Sequence, residues 1–152
     1  MTVTEYRRYY LDLTLGVLGG NHAHFDITTP SDEQRAIYNN YLAGLTVLAL
    51  VSLIEANFLS KGEMKALRNF QTVQSLPHAI HQVHLSSFIY VRDCFAHNPL
   101  AKLLPPGDNT TAFLAAVCNG MFSFASVSGQ DIKILNTHQL HLIVLRFFGE
   151  NV

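Results

Sequence analysis

The stretch YLAGLTVLALVSLIEANFL, residues 41–59, decides the class of fold. About fourteen residues pass without a charge before Glu55 and Asn57 interrupt the run, and no proline occurs between Ser31 and Leu59. Ser31 is a typical helix-capping residue, so the pattern predicts one helix from Ser31 to about Leu59. A membrane-spanning helix needs roughly 20 apolar residues. We therefore interpret this helix as a buried core helix and expect no membrane contact.

Caps, glycines and prolines divide the rest of the chain into further helices. The alternating segment FASVSGQDIKIL, with Ser128-Gly129 at its centre, predicts a short β-hairpin near 122–135. We expect an all-α fold over residues 1–152, a single domain built as an up-and-down bundle of four to five helices with this one hairpin. Besides the helix from Ser31, the predicted helices run from Thr2 to Gly19-Gly20, over 63–70, 77–97 and 110–124, and from Asn136 or Thr137 to Gly149.

The composition favours a protein with a partner surface. Of 152 residues, 49% are hydrophobic and 14% are charged, which leaves few charges to cover a monomer of 17.0 kDa. A homodimer is the commonest way to bury such a surplus of apolar surface. Ten Lys and Arg stand against eleven Asp and Glu, so the net charge of -1 excludes a global basic field for nonspecific nucleic-acid binding.

Cysteine usage and the first residues predict a cytoplasmic protein. Cys94 and Cys118 have no CxxC partner, which is typical of free thiols in a reducing compartment. The opening MTVTEYRRYYLDL contains Glu5 and Asp12 and lacks the apolar core of a signal peptide.

Two chemical interpretations of the histidines and cysteines rank below structural ones. His78, His81 and His84 recur every three residues, which places the outer pair roughly 9 Å apart along a helix, too far to share one metal ion. A polar helix stripe is the better interpretation, and we expect neither a metal nor another cofactor. Cys94 with His97 has the spacing of a thiolate–imidazole pair but no third orienting group, so a structural cysteine is favoured.

The segment IYVRDCFAHNPLAKLL, residues 89–104, carries the remaining candidates for chemistry. Arg92, Asp93 and His97 interrupt an apolar helix, and charged groups persist in such a place when they are exposed, paired or useful. A helix end explains them as well, because Asn98-Pro99 is a stop signal and Asp93 with His97 forms an i, i+4 pair. The residues alone favour the helix end.

The string RDCFAHN, residues 92–98, resembles the R-polar-x3-H motif of HEPN domains, the higher eukaryote and prokaryote nucleotide-binding superfamily. The motif closes the third long predicted helix, as in that bundle, and Glu55 stands on the long helix before it. The chain looks most like the stand-alone bacterial HEPN proteins of plasmids and of defence or toxin–antitoxin loci. The resemblance covers most of the chain in architecture but only a handful of residues in motif.

This resemblance implies a metal-independent endoribonuclease without a cofactor. His97 would act as general acid or base at the 2'-hydroxyl or the leaving oxygen, and Arg92 would stabilise the charged phosphorane. Asp93, at the polar position of the motif, would orient one of the two. Cleavage assisted by the 2'-hydroxyl would leave a 2',3'-cyclic phosphate.

The family pattern also implies partners. Two motifs face each other across a twofold axis, so this chain would need a second copy, besides its RNA substrate and a cognate antitoxin or other regulator. On an ideal helix Arg92 and His97 point about 140° apart, a divergence that a composite site accommodates. The chain departs from the pattern in two ways: Asp93 replaces the more usual Asn or His, and no tyrosine follows His97, unlike in the branch modified by a nucleotidyltransferase.

Two alternatives to the ribonuclease remain. The first is a HEPN-like bundle that has lost catalysis and serves as a binding or dimerisation module. The second is an unrelated helical protein whose third long helix is simply capped at Asn98-Pro99.

Overall fold

The computed structural model describes residues 32–74, 82–98 and 100–135, together with Thr2, Thr4, Leu142 and Leu145. This part of the chain is mostly helical with one two-stranded antiparallel sheet, which confirms the predicted helical bundle with a hairpin. The predicted first helix and the predicted last helix lie outside the described residues, apart from those single positions. The elements are α1 (Asp32–Phe58), α2 (Lys61–Arg68), α3 (Gln82–His97), α4 (Asp108–Cys118), β1 (Ala125–Ser128) and β2 (Asp131–Ile134).

The predicted bounds of α1, the end of α3 and the place of the hairpin agree with the structure, whereas the bounds of α2 and α4 require correction. α1 matches its prediction within a residue at each end. α2 begins at Lys61, not at 63, because Ser60 caps it: Ser60 Oγ accepts from the Glu63 N–H, and the Glu63 carboxylate accepts from the Ser60 N–H. α4 occupies Asp108–Cys118 instead of 110–124, since Gly120 adopts a φ of 70° and ends the helical path early.

The contact between α1 and α3 is the centre of the described fold. Gly44 on α1 meets Phe95 on α3, while Glu55 on α1 meets Arg92, so later residues of α1 lie beside earlier residues of α3 and the two helices run antiparallel. The two helices contribute many apolar, almost completely buried side chains to the core, among them Val47, Leu50, Val51, Ile54, Leu85, Phe88, Ile89 and Val91. Burial of this apolar surface is the main stabilising contribution to the bundle.

α1 is long and apolar enough, by length and composition alone, to cross a membrane. Its most apolar window has a mean hydropathy of 1.7, and 44% of that window is buried inside the fold. Core helices of soluble proteins meet the same criterion, so the absence of membrane contact stays a prediction.

An aromatic cluster joins α3 to α4 and the hairpin. The ring of Tyr90 stacks on Phe113 with centroids 4.4 Å apart, and Phe88 contacts Phe122 edge to face at 5.0 Å. The Tyr90 hydroxyl accepts from the Leu104 N–H and is hydrogen-bonded to the Thr110 hydroxyl at 2.9 Å. These bonds tie the turn that follows α3 to the start of α4.

The hairpin is attached to the helices along β2. β1 and β2 pair with Ala125 opposite Ile134, and Gly129 takes the positive φ of 60° that the tight turn requires. The Asn40 side chain, on α1, donates to the Ile132 carbonyl at 3.0 Å and accepts from the Ile134 N–H at 2.8 Å. Lys102 forms an isolated antiparallel bridge and an ion pair with Asp131, so the outer edge of β2 is covered.

Candidate functional site

The last two turns of α3 carry the candidate residues. α3 ends at His97, as predicted: the Asn98 N–H still donates to the Cys94 carbonyl at 2.9 Å, and the Asn98 side chain accepts from the Leu100 N–H at 3.0 Å. The predicted end of the helix before Asn98 is therefore confirmed, while Pro99 lies outside the described residues. The stop brings His97 to the exposed end of the helix.

Arg92 is largely buried and is paired with two carboxylates, of which Glu55 is 46% exposed. Its Nε donates to Asp93 Oδ1 at 2.6 Å, and its Nη1 lies 3.6 Å from Glu55 Oε2 on α1. Only 13% of the Arg92 side chain is exposed. A guanidinium with so little exposure needs paired acceptors, because an isolated buried charge is costly.

Asp93 is shared between two arginines. While Oδ1 accepts from Arg92, Oδ2 lies 3.3 Å from Nε of Arg68, a residue of α2. The exposed fractions are 21% for Asp93 and 50% for Arg68. We call Glu55, Arg68, Arg92 and Asp93 the ionic cluster; its two cations and two anions join α1, α2 and α3 with no net charge.

The expected pair between Asp93 and His97 is not formed. Both carboxylate oxygens of Asp93 face arginines, and no hydrogen bond or ion pair joins His97 to any side chain in the described part of the chain. Of the two roles expected for Asp93, the geometry fits orientation of Arg92 and not of His97. The interpretation of Asp93 and His97 as a structural i, i+4 pair was wrong, because the arginines compete successfully for the carboxylate.

Arg92 and His97 do not converge within one chain. α3 remains α-helical through both residues, so their side chains keep the angular separation of about 140° that five helical residues impose. Arg92 turns toward Glu55, whereas His97 is exposed. In this conformation the two groups therefore do not face one phosphate within a single chain.

Cys94 lies between them but is not a nucleophile. Its side chain is completely buried, and this burial raises the pKa of the thiol to about 11. A thiol with that pKa is protonated at neutral pH and has little nucleophilic character. The preference for a structural cysteine agrees with this position.

The histidine stripe is only partly described. His84 is half-buried and contacts Phe124 edge to face at 5.7 Å, which is the environment of a packing residue. His78 and His81 lie outside the described residues. Among the residues that the structure describes, no group of three His, Cys, Asp or Glu side chains is placed to hold a metal ion.

A groove of about 480 Å³ lies apart from the motif, between the first half of α1 and the hairpin. Ile37 and Leu100 form apolar walls, and Glu33 and Lys133 stand at its charged rim. Neither the ionic cluster nor His97 lines this groove. The candidate residues thus lie outside this groove.

Sequence reasoning identified Arg92, Asp93, His97 and Glu55 but missed Arg68. The structure brings Glu55, Arg92 and Asp93 together and leaves His97 apart from them at the exposed end of α3. No local sequence signal marks Arg68, because its proximity to Asp93 depends on how α2 packs on α3. Comparison of the chain with protein-family models, with curated proteins and with solved structures finds no match.

Proposed function

We propose that the chain is a metal-independent endoribonuclease of the HEPN type that acts as a homodimer. The observation that carries the proposal is the arrangement at the end of α3: an exposed imidazole, His97, one turn beyond an arginine and an aspartate that are fixed by an ionic cluster. Fixed polar groups at a helix end, in an otherwise apolar helix, are the features expected of a prepared site.

The chemistry requires proton transfer and charge stabilisation. His97 is exposed, so its ring nitrogens can reach an RNA strand and exchange a proton with the 2'-hydroxyl or with the leaving 5'-oxygen. The 2'-oxygen then forms a bond to phosphorus while the bond to the 5'-oxygen breaks, which leaves a 2',3'-cyclic phosphate and a 5'-hydroxyl. Guanidinium groups stabilise the charge that builds on the phosphorane.

Exposed apolar side chains on α1 support the proposed homodimer. Ile37, Tyr41 and Leu45 follow one another at four-residue spacing along α1 and are 51%, 41% and 40% exposed. Side chains at this spacing share one helix face and form a continuous apolar stripe. A homodimer would cover such a stripe and supply the second motif.

The test is cleavage of a structured RNA in excess EDTA by wild type and His97→Ala. Because His97 is exposed and forms no hydrogen bond or ion pair with a side chain in the described part of the chain, its removal should leave folding intact. We expect wild type to cleave, the products to end in 2',3'-cyclic phosphate, and the variant to lose about 100-fold or more in rate.

Arg92 needs a gentler substitution in the same assay. Alanine would leave Glu55 without its arginine and would remove one of the two arginines that Asp93 contacts, so Arg92→Lys, which keeps the charge, separates chemistry from stability. Thermal unfolding of both variants serves as the folding control. A well-folded wild type that leaves RNA intact, or a His97→Ala variant that cleaves at the wild-type rate, would disprove the ribonuclease.

A binding module without catalysis is the second candidate, and the ionic cluster favours it. The guanidinium of Arg92 is matched by two carboxylates and is 13% exposed, so it offers little to a phosphate in this conformation. Such a module would bind RNA or a partner protein without cleaving it. Binding with no cleavage, unaffected by His97→Ala, would identify it.

The resemblance further suggests a toxin–antitoxin or anti-phage setting with a cognate antitoxin as a partner.

A further inference from the structure

Arg68 is the most accessible cation of the ionic cluster. Half of its side chain is exposed, compared with 13% of Arg92, although both contact the same aspartate. Arg68 lies in the last turn of α2, at the surface beside α3. The cluster therefore presents to solvent an arginine that does not belong to the sequence motif.

Asp93 contacts Arg68 through a single nitrogen of the guanidinium group. The contact joins Oδ2 to Nε at 3.3 Å, and a guanidinium has four further N–H donors on its two Nη atoms. An arginine engaged through Nε keeps both Nη groups available in a planar fork, the geometry that binds phosphate oxygens in pairs. Because Asp93 already restrains the side chain, binding a phosphate costs less rotamer entropy than it would for a free arginine.

Arg92 is in the opposite situation. Nε and Nη1 are engaged by Asp93 and Glu55 from two directions, and the group is largely buried. To reach a phosphate it would have to leave at least one of these carboxylates. In the described conformation it therefore orients Asp93, and Asp93 in turn orients Arg68.

We propose that Arg68 is a substrate-positioning residue that binds a backbone phosphate of the RNA beside His97. The inference rests on the proposed function for its substrate, and it adds a residue on another helix. Asp93, which contacts Arg68, lies one helical turn before His97 on the same helix face, and their Cβ atoms are about 6 Å apart at this spacing. An RNA strand that contacts His97 thus passes Arg68.

Binding is measured apart from cleavage with a fluorescein-labelled, fully 2'-O-methylated oligoribonucleotide, which has no 2'-hydroxyl to attack. Fluorescence anisotropy at several salt concentrations compares wild type with Arg68→Ala and Arg68→Lys. We expect Arg68→Ala to weaken binding about tenfold and to lower the steepness of log K against log salt by about 0.7, the value for one phosphate contact. Arg68→Lys should recover the salt dependence but only part of the affinity.

Lys133→Ala is the matched control. It removes the same charge from the exposed surface of β2, at the rim of a groove that includes no member of the ionic cluster. Its affinity should stay within about twofold of wild type. On cleavable RNA, Arg68→Ala should raise KM with little change in kcat, as for a lost ground-state contact, whereas His97→Ala lowers kcat.

The outcomes separate this inference from the ribonuclease itself. If wild type cleaves RNA but Arg68→Ala binds it as tightly as wild type or as Lys133→Ala, the role of Arg68 is disproved and the ribonuclease stands. If wild type binds the methylated RNA through Arg68 but cleaves no RNA, the ribonuclease fails and the phosphate contact stands. If wild type binds no RNA, both fail.

Discussion

Arg92 and Cys94 show how burial defines the roles of single residues at the end of α3. Arg92 is retained in a largely apolar helix because it forms ion pairs with both Glu55 and Asp93. Two positions later the same interface holds a completely buried thiol whose pKa is raised by loss of water. In this region the exposed side chains of His97 and Arg68 are the ones that solvent and a ligand can readily reach.

The Cys94 thiol should make the fold sensitive to alkaline pH. Burial raises its pKa to about 11 from 9.0, so the unfolded chain loses this proton first, and the free energy of unfolding decreases as the pH rises from 9.0 to about 11. Below pH 9.0 the contribution is fully present. Urea unfolding at about pH 8 and about pH 10.5 should differ by on the order of 2 kcal/mol from this group. Burial also raises the pKa of Tyr90, which acts in the same direction.

Cys94→Ala is the control for that measurement, since it should flatten part of the pH dependence whatever it does to absolute stability. A thiol reagent gives an independent check: Cys118, which is exposed, should react in the folded protein, and Cys94 only after unfolding. Rapid labelling of both thiols at neutral pH would contradict the assigned burial.

The motif residues could be predicted at this scale, but their contacts could not. Arg92, Asp93 and His97 stood out because they interrupt an apolar helix. The partner of Asp93 was predicted wrongly, because helical spacing suggests His97 whereas tertiary packing supplies Arg68. Contacts between helices depend on how the helices dock, and no spacing within one helix reveals that.

At the scale of elements, α1 and α3 approach closely because Gly44 has no side chain. A Cβ at this position would lie 2.2 Å from the Phe95 ring, far inside van der Waals contact. Glycine is a poor helix former, yet Gly44 is the residue that allows the two longest described helices to pack.

We predict that Gly44→Ala destabilises the protein by about 1 to 3 kcal/mol, because the Phe95 ring or the helix backbone must move. Gly62→Ala is the matched control: it lies in helix α2 and its Cβ would have only Ser60 Oγ at 3.9 Å nearby. The control should be neutral or gain up to about 1 kcal/mol from helix propensity. Equal denaturation midpoints for the two variants would show that the contact is not tight.

Element boundaries could be predicted where a cap or breaker acts alone. The stop at Asn98 and the Gly129 turn were visible in the sequence and mark real ends, whereas the Ser60 capping box was missed. The end of α4 was predicted too late, because a glycine inside an apolar run can either be tolerated or adopt a positive φ, and only the fold selects between them at Gly120.

At the scale of the whole molecule, few charges and an exposed apolar stripe favour self-association. We predict that wild type sediments as a dimer at micromolar concentration and that Tyr41→Glu, which places a charge in the middle of the stripe, sediments as a monomer. Met121→Glu is the control, because Met121 is 45% exposed but lies after α4, away from α1 in sequence. A monomeric wild type, or a Tyr41→Glu dimer, would refute an interface on this stripe.

The two hydrogen bonds between the Asn40 side chain and β2 affect the order in which the chain folds. They join residues 92 and 94 positions apart in sequence, and such contacts form late because closing so long a loop costs chain entropy. During synthesis α1 must wait until almost the whole described chain has left the ribosome before the hairpin can dock on it. The Ile134 N–H donates to the Asn40 side chain. Protection of this amide from hydrogen exchange therefore reports when the hairpin has docked on α1 and the fold is complete.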